Sequence, residues 1–181
     1  MRAIELLLAE HNMILEFLDL LQEGGRRIAR DEGPVPEFFT QSVEFCRVYA
    51  DKAHHYKEEH VMFGLLAQKH EGRLDDLIAR HRDQHETCRN LVGAMAGSIE
   101  SYGRGETEGG RALSENISEY VKILKSHIKS ENEIFFPMSL AFISEEEGVA
   151  LLDEFEKYEA SAGVKVWEGG PKLLAELSAK L

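Results

Sequence analysis

The stretch HHYKEEHVMFG at residues 54–64 recurs in a related form, HIKSENEIFFP, at residues 127–137. Each stretch begins with a histidine, has a glutamate four residues later, and continues through apolar residues to a helix breaker. Residues i and i+4 lie on one face of an α-helix, so each stretch directs an imidazole and a carboxylate to the same place. A pair of this kind can bind a metal ion.

The first stretch contains two histidine–glutamate pairs, and its alignment with the second stretch indicates which pair binds metal. His55 and Glu59 have the same spacing as His54 and Glu58. However, His55 and Glu59 align with an isoleucine and an asparagine, which do not provide an imidazole and a bridging carboxylate. His54 and Glu58 align with a histidine and a glutamate, so the alignment predicts that they form the metal-binding pair.

Composition limits the kind of protein and its partners. The chain has 181 residues, enough for one domain with a substantial core, and a formal net charge of −12. This charge argues against nucleic acid and against an anionic membrane surface as partners. The sequence contains neither a membrane-spanning run nor a signal peptide, which favours a cytoplasmic location. Cys46 and Cys88 have no CxxC partner, so neither a disulfide scaffold nor a thiolate metal site is expected.

The hydrophobic pattern predicts an all-α protein, an up-down-up-down four-helix bundle with additional C-terminal helices. The four bundle helices are expected at about residues 3–29, 36–68, 71–102 and 111–142. The glycine-rich segment 103–110 is expected to be the longest and most mobile connection between them. On the fourth helix the 3.6-residue period predicts an inner face that contains Leu113, Tyr120, Ile123, Leu124, His127, Glu131, Ile134 and Met138.

We expect the bundle to occupy residues 1–142 and a C-terminal helical extension, residues 143–181, to pack on it. Ser144 and the acidic residues after it predict a helix start. This helix is expected to run to about Tyr158 and to present Val149, Leu152 and Phe155. A loop at 163–170 and a short helix at 171–180 follow. The first bundle helix has a second apolar stripe, which the extension or a second chain of a homo-oligomer should cover: Leu6, Met13, Phe17 and Leu20.

Five histidines and two glutamates fall on the inward faces of the predicted bundle. A single histidine there is more often a core residue than a ligand, but a buried unpaired carboxylate costs several kcal/mol. Imidazole and carboxylate ligands without thiolate suit iron, manganese or zinc. Seven ligands exceed the four of a tetrahedral zinc site, whereas two ions bridged by both carboxylates use all seven. The set is His11, His54, Glu58, His81, His85, His127 and Glu131.

Two families of helical metal proteins compete for this pattern. The ferritin type needs Glu-x-x-His on two helices, and no histidine here has a glutamate three residues before it. The pattern resembles the hemerythrin superfamily, in its bacterial HHE branch, over residues 3–142. That resemblance implies two iron ions with an oxo or hydroxo bridge. One ion takes His81, His85 and His127, the other takes His11 and His54 and keeps an open position, and both carboxylates bridge.

The resemblance also suggests which residues surround the bound ligand. Ile14 and Leu124, one helical turn from metal-binding histidines, match the apolar oxygen pocket of the oxygen carriers. The chain departs from the carriers by having His-x3-Glu instead of His-x4-Asp on the last helix. It also has His55 where the carriers have phenylalanine. His55 is expected either to border the pocket or to be a solvated neighbour of the site.

Three functions follow from this resemblance. The first is binding of dioxygen or a related small diatomic ligand for storage, delivery or sensing. The second is an enzyme, a di-iron oxidase or peroxidase or a nitric-oxide-handling protein. The third is an iron- or redox-responsive regulatory module, whose partner surface would be the second stripe of the first helix together with the C-terminal extension.

Overall fold

A computed structural model describes residues 1–69 and 72–181 of the chain. This part of the chain contains six helices and no strand, which confirms the all-α prediction. The predicted start of the third helix at Glu71 lies outside the described residues. The helices are α1 (Arg2–Ile28), α2 (36–66), α3 (Asp75–Gly103), α4 (107–139), α5 (Glu145–Ala162) and α6 (Val166–Ser178).

Helices α1 to α4 form the predicted four-helix bundle. Helix α1 packs against α2 and α4, and α3 packs against the same two helices from the other side. The inner faces of all four helices therefore surround one axis, which is where bundles place their metal and cofactor sites. None of the helices in the described parts of the chain combines the length and the apolar character needed to cross a membrane.

Helices α2 and α4 both contain π-helical segments that overlap the repeated stretches. In α2 the π-helical segments are Cys46–His55 and Lys57–Met62, and in α4 the segment is Glu131–Phe135. A π-helical turn closes hydrogen bonds from i+5 to i, one residue more than an α-helical turn, and such turns are frequent at functional sites. Each π-helical segment therefore rotates the residues after it relative to an uninterrupted α-helix.

This rotation explains why the predicted inner face of α4 is wrong beyond Glu131. Ile134 is 48% exposed and Met138 is 40% exposed, although an α-helical period places both inside. Phe135 and Phe136 are buried in their place. Adding one residue to a turn rotates the following side chains by about 100°, which brings this pair inward.

The glycine-rich connection is shorter than predicted. Helix α3 ends at Gly103 and α4 begins at Thr107, so only residues 104–106 connect them. The longer glycine-rich loop was a wrong prediction because Gly109 and Gly110 lie inside α4. A Cβ atom on Gly109 would lie 2.6 Å from the backbone nitrogen of Tyr102. Glycine is therefore required here for the close approach of two helices.

The C-terminal extension begins as predicted with a side-chain cap. Ser144 and Glu147 form a reciprocal capping box at the start of α5. The helix extends four residues beyond Tyr158, to Ala162, and its buried residues include Leu151 and Phe155. Val149 is 66% exposed, so its predicted inward position is wrong.

The predicted loop at 163–170 is largely helical. Helix α6 begins at Val166 and contains two glycines that were predicted to lie in a loop. These glycines allow close contact with the bundle. A Cβ atom on Gly169 would collide with the hydroxyl of Tyr49, and one on Gly170 would lie 2.5 Å from the sulfur of Met13. The glycines therefore admit neighbouring side chains and do not mark a flexible segment.

The second apolar stripe of α1 contacts residues of α5 and α6. Met13 and Phe17 share a hydrophobic cluster with Val166 and Leu174 of α6. Leu6 packs against the cluster that contains residues of α5. The stripe is thus covered within the chain. The division into a bundle at 1–142 and an extension at 143–181 stays a prediction.

Candidate metal centre

All four bundle helices contribute to one buried polar layer. Helix α1 provides one histidine, α2 a histidine and a glutamate, α3 two histidines, and α4 a histidine and a glutamate. Each of these residues is at most 1% exposed. They are His11, His54, Glu58, His81, His85, His127 and Glu131, the seven residues predicted from the sequence.

Glu58 lies between histidines of two different helices. Its Oε1 is 3.4 Å from Nε2 of His54, and its Oε2 is 3.5 Å from Nε2 of His85. The two oxygens of one carboxylate therefore face different histidines. This is the orientation of a carboxylate that bridges two ions.

Glu131 occupies the equivalent place on α4. Its Oε2 is 3.2 Å from Nε2 of His11 and 3.1 Å from Nε2 of His127, and its Oε1 is 3.7 Å from Nδ1 of His81. The imidazoles of His85 and His127 meet with their Nε2 atoms 2.9 Å apart. Histidines from three helices therefore surround this carboxylate.

Among the seven residues, donor atoms form two overlapping sets that are each compact enough to hold an ion, and a third set combines His55 with His85 and His127. In each set, one atom per residue lies within 4.8 Å of all the others. Both overlapping sets contain Glu58 and Glu131. His81 belongs to neither set, although its Nδ1 lies 3.2 Å from Nδ1 of His127. The sets are His11, His54, Glu58 and Glu131, and Glu58, His85, His127 and Glu131.

Many of these atoms have no hydrogen-bond partner within the described part of the chain. Both oxygens of Glu58 and of Glu131 are buried and unsatisfied, and so is Nε2 of His11, His54 and His81. An unsatisfied buried polar atom costs about 1–3 kcal/mol, and a charged one costs more. Metal cations in the donor sets would satisfy the carboxylate oxygens and the nitrogens of His11 and His54 at once. The donor set, nitrogen and carboxylate oxygen without sulfur, fits such ions.

A second layer of oxygen acceptors orients four of the histidines. Each Nδ1 lies at hydrogen-bond distance from one of these oxygens, so that the lone pair of Nε2 is left for the centre of the site. Carboxylate and amide partners of this kind hold the rings of metal-binding histidines. The pairs are His11 with Asn132 at 2.7 Å, His54 with Glu10 at 2.8 Å, His85 with Glu59 at 2.7 Å and His127 with Gln84 at 3.1 Å.

The repeated stretches also match in this second layer. Glu59 and Asn132 are aligned positions, and each orients a histidine of a neighbouring helix, His85 and His11 respectively. Sequence reasoning assigned these two residues no part in the site. The available signal was that both aligned side chains are hydrogen-bond acceptors directly following a proposed bridging glutamate.

A buried ion-pair chain connects the site to the C-terminal extension. Glu10 accepts from His54 with one oxygen and pairs with Lys57 through the other. Lys57 is fully buried and also pairs with Glu159 of α5. The sequence did not predict this series of ion pairs, because it joins residues of three different helices and no local spacing indicates it.

The charges around the site favour ionised carboxylates. Burial by itself raises the pKa of the Glu131 carboxyl, but His127 and His11 outweigh it and hold this pKa well below its usual range. Burial lowers the pKa of His54, but Glu58 and Glu10 outweigh it and raise this pKa to about 10. A metal ion that bound at His54 would therefore have to displace a proton, so its affinity would decrease in acid.

His55 is not a solvated neighbour of the site, so this alternative was wrong. It is 2% exposed, and its ring stacks on His85 with centroids 3.8 Å apart and an interplanar angle of 14°. Its donor atoms lie close to those of His85 and His127. However, two nearly parallel rings at this separation cannot direct their in-plane lone pairs at one ion. His55 therefore borders the metal layer without joining the ligand set.

The other two predicted pocket residues are part of the hydrophobic core. Ile14 and Leu124 are each 1% exposed and belong to the same apolar cluster. They lie one helical turn from His11 and His127 respectively, on the inward faces of α1 and α4. Their contact with a bound ligand stays a prediction.

Comparison with known proteins identifies the family. Residues 2–139 match the model of the hemerythrin HHE cation-binding domain. The chain belongs to this family. The match covers all four bundle helices and every residue of the buried polar layer, and it ends before α5 and α6 begin.

Three mycobacterial relatives extend the comparison without adding a function. Two uncharacterized proteins of Mycobacterium tuberculosis and one of Mycobacterium bovis are each 26% identical to the chain over 158 residues. These residues are 87% of this chain but only 61% of each relative, so the relatives are considerably longer. No solved structure matches the chain. The family match and the donor sets together show that this hemerythrin-like chain has a buried histidine and glutamate cluster capable of binding metal cations.

Proposed function

We propose that the chain binds two iron ions that share Glu58 and Glu131. His11 and His54 complete one ion, and His85 and His127, with His81 after a small rotation of its ring, complete the other. The observation that supports this most is the pair of four-donor sets with both carboxylates in common. The unsatisfied carboxylate oxygens support it as well.

We further propose that this centre binds dioxygen or a related small diatomic ligand. Iron in a ligand set of imidazoles and carboxylates supplies binding and reduction of such ligands. The ion at His11 and His54 has one histidine fewer, so it offers the open position. Ile14 and Leu124 are proposed to exclude water from it. Glu10 and Asn132 hold the rings of the two histidines in place.

The experiment is anaerobic reconstitution with ferrous iron, followed by metal analysis and an absorption spectrum in air and again under vacuum. The expected result is about two iron atoms per chain and a new absorption band that disappears when dioxygen is removed. A His54→Ala variant should lose one ion or both. Metal content near one ion per chain in the unaltered protein would contradict the bridged pair.

A di-iron oxidase or peroxidase is the second candidate, favoured by the environment of His55. This buried imidazole lies against His85 and also lines a cavity that reaches the surface. A dedicated carrier has no need of such a cavity, whereas an enzyme needs a place for an organic substrate. Irreversible loss of the absorption band within one turnover would support this candidate against the first.

A further inference from the structure

A cavity of about 270 Å³ lies among α2, α3 and α4, beside the buried polar layer. Its outer rim includes the exposed side chain of Arg47 and the partly exposed Asp51 and Arg89. None of the seven proposed metal ligands lines it. The inner wall is buried and consists mainly of Cys46, His55, Cys88, Val92 and Tyr120.

His55 lines this cavity and has one ring nitrogen without a hydrogen-bond partner. Its Nε2 is buried and has no partner in the described part of the chain. Its Nδ1 lies 3.4 Å from Oδ1 of Asp51, an arrangement that places the ring proton on Nδ1 and leaves Nε2 as an acceptor. The parallel stack on His85 rules out a shared metal ion. A buried acceptor without a partner calls for a water molecule or a ligand.

The inner wall indicates what kind of ligand fits. Two thiols, a valine and a tyrosine ring form an apolar and partly aromatic surface. An apolar cavity of about 150 Å³ is enough to hold benzene, so this one has room for a single ring with substituents. A diatomic ligand would leave most of the volume empty. The ligand must also donate a hydrogen bond, because Nε2 of His55 is an acceptor.

The rim does not favour an anion. Arg89 already pairs with Asp51 at 2.8 Å and with Glu59 at 2.6 Å, so its charge is neutralised within the protein. Arg47 is exposed to water, where a single ion pair contributes little. A carboxylate that entered the cavity would lose its hydration against an apolar wall. The ligand is therefore neutral.

We propose that this cavity binds a small neutral hydroxyl compound of the phenol class, which donates its O–H to Nε2 of His55. The ring of the ligand packs against the wall that Cys46 and Tyr120 form together. The hydroxyl of the ligand then contacts His55, whose ring stacks on that of His85. This proposal depends on the cavity and on His55 but on no metal ligand, so it can be tested and refuted separately from the metal proposal.

The test compares three probes of similar size: 4-fluorophenol, 4-fluorotoluene and 4-fluorobenzoate. Binding to the full chain is measured by isothermal titration calorimetry, with the metal present and after chelation. Fluorine NMR line broadening is measured on the chelated protein. One hydrogen bond to a buried acceptor makes 4-fluorophenol bind about tenfold tighter than 4-fluorotoluene. The benzoate is expected to bind most weakly.

Two substitutions locate the binding in this cavity. Gly93 lines the cavity on α3, and a Cβ atom added there meets nothing within 4 Å. Gly93→Leu should therefore fill the space and weaken 4-fluorophenol at least tenfold. Gly97 lies one turn further on the same helix, outside the cavity, and is equally open. Gly97→Leu changes helix propensity in the same way and should leave binding unchanged.

His55→Phe tests the hydrogen bond, because it keeps an aromatic ring against His85 but removes Nε2. It should make the phenol and the toluene bind equally. The proposal is overturned if none of the probes binds, if Gly93→Leu and Gly97→Leu behave alike, or if the benzoate binds most tightly. Equal binding of the phenol and the toluene to the unaltered protein also overturns it.

Discussion

Replacing Lys57 by methionine is expected to destabilise the protein strongly, because this lysine neutralises the buried carboxylate of Glu10. Lys57 is fully buried and pairs with Glu10, which is 1% exposed, and with Glu159, which is 19% exposed. Removing one partner of a buried ion pair typically costs about 3–5 kcal/mol, since the other charge stays buried. Methionine keeps most of the volume, so the loss of charge dominates the effect.

The arrangement of Glu10 places the expected cost near the lower end of that range. After the substitution, Glu10 still accepts a hydrogen bond from His54 at 2.8 Å. Glu159 is partly exposed and can be hydrated. We therefore expect a loss of about 3 kcal/mol. For a chain of this size, 1 kcal/mol corresponds to about 2–4 °C, which gives a decrease in melting temperature of about 6–12 °C.

The assay is urea and thermal unfolding of the chelated protein at neutral pH, followed by circular dichroism. Lys129→Met is the control, because Lys129 faces Glu133 at 4.0 Å with both side chains exposed. That change should stay within about 0.5 kcal/mol. The double variant Lys57→Met with Glu10→Gln removes both charges and should recover most of the stability. A loss below about 1 kcal/mol in Lys57→Met would refute the reasoning.

Three further predictions concern the site and the extension. Glu58→Ala should abolish the binding of both ions, whereas Glu59→Ala should keep all the ligands and weaken metal affinity about 10–100-fold, measured by chelator competition. Equal effects of the two substitutions would contradict the assignment of Glu58 as the ligand. The folded-state pKa of His54 is raised to about 10, so its stabilising contribution is complete below pH 6.5 and is lost as pH rises to 10. The urea midpoint of the chelated protein should therefore decrease across this range, and less so in His54→Gln. Truncation after Phe142 should expose Met13 and its apolar neighbours, causing aggregation or a marked loss of stability; a truncated chain that is monomeric and equally stable would contradict this.

The sequence by itself determined the helical class and the composition of the buried polar layer. Spacings of three and four residues specify one face of a helix, and this information is local. The internal repeat then separated His54 and Glu58 from His55 and Glu59, which have the same spacing. All seven predicted residues lie together in the structure.

Only the tertiary structure decided the phase of the helices after the repeated stretches. The π-helical segment after Glu131 brings Phe135 and Phe136 inward in place of Ile134 and Met138. An α-helical period cannot anticipate this, because the extra residue in a turn is stabilised by packing and by the groups that the turn places in the core.

The outer partners of the histidines were likewise decided by tertiary structure. Glu10 orients His54 from a different helix, and Lys57 joins Glu10 to Glu159 in the extension. Local spacing specifies which face of a helix a residue occupies, but not which residue of another helix it meets. That choice depends on how far each helix is shifted and rotated against its neighbours, which is set by the packing of the whole core.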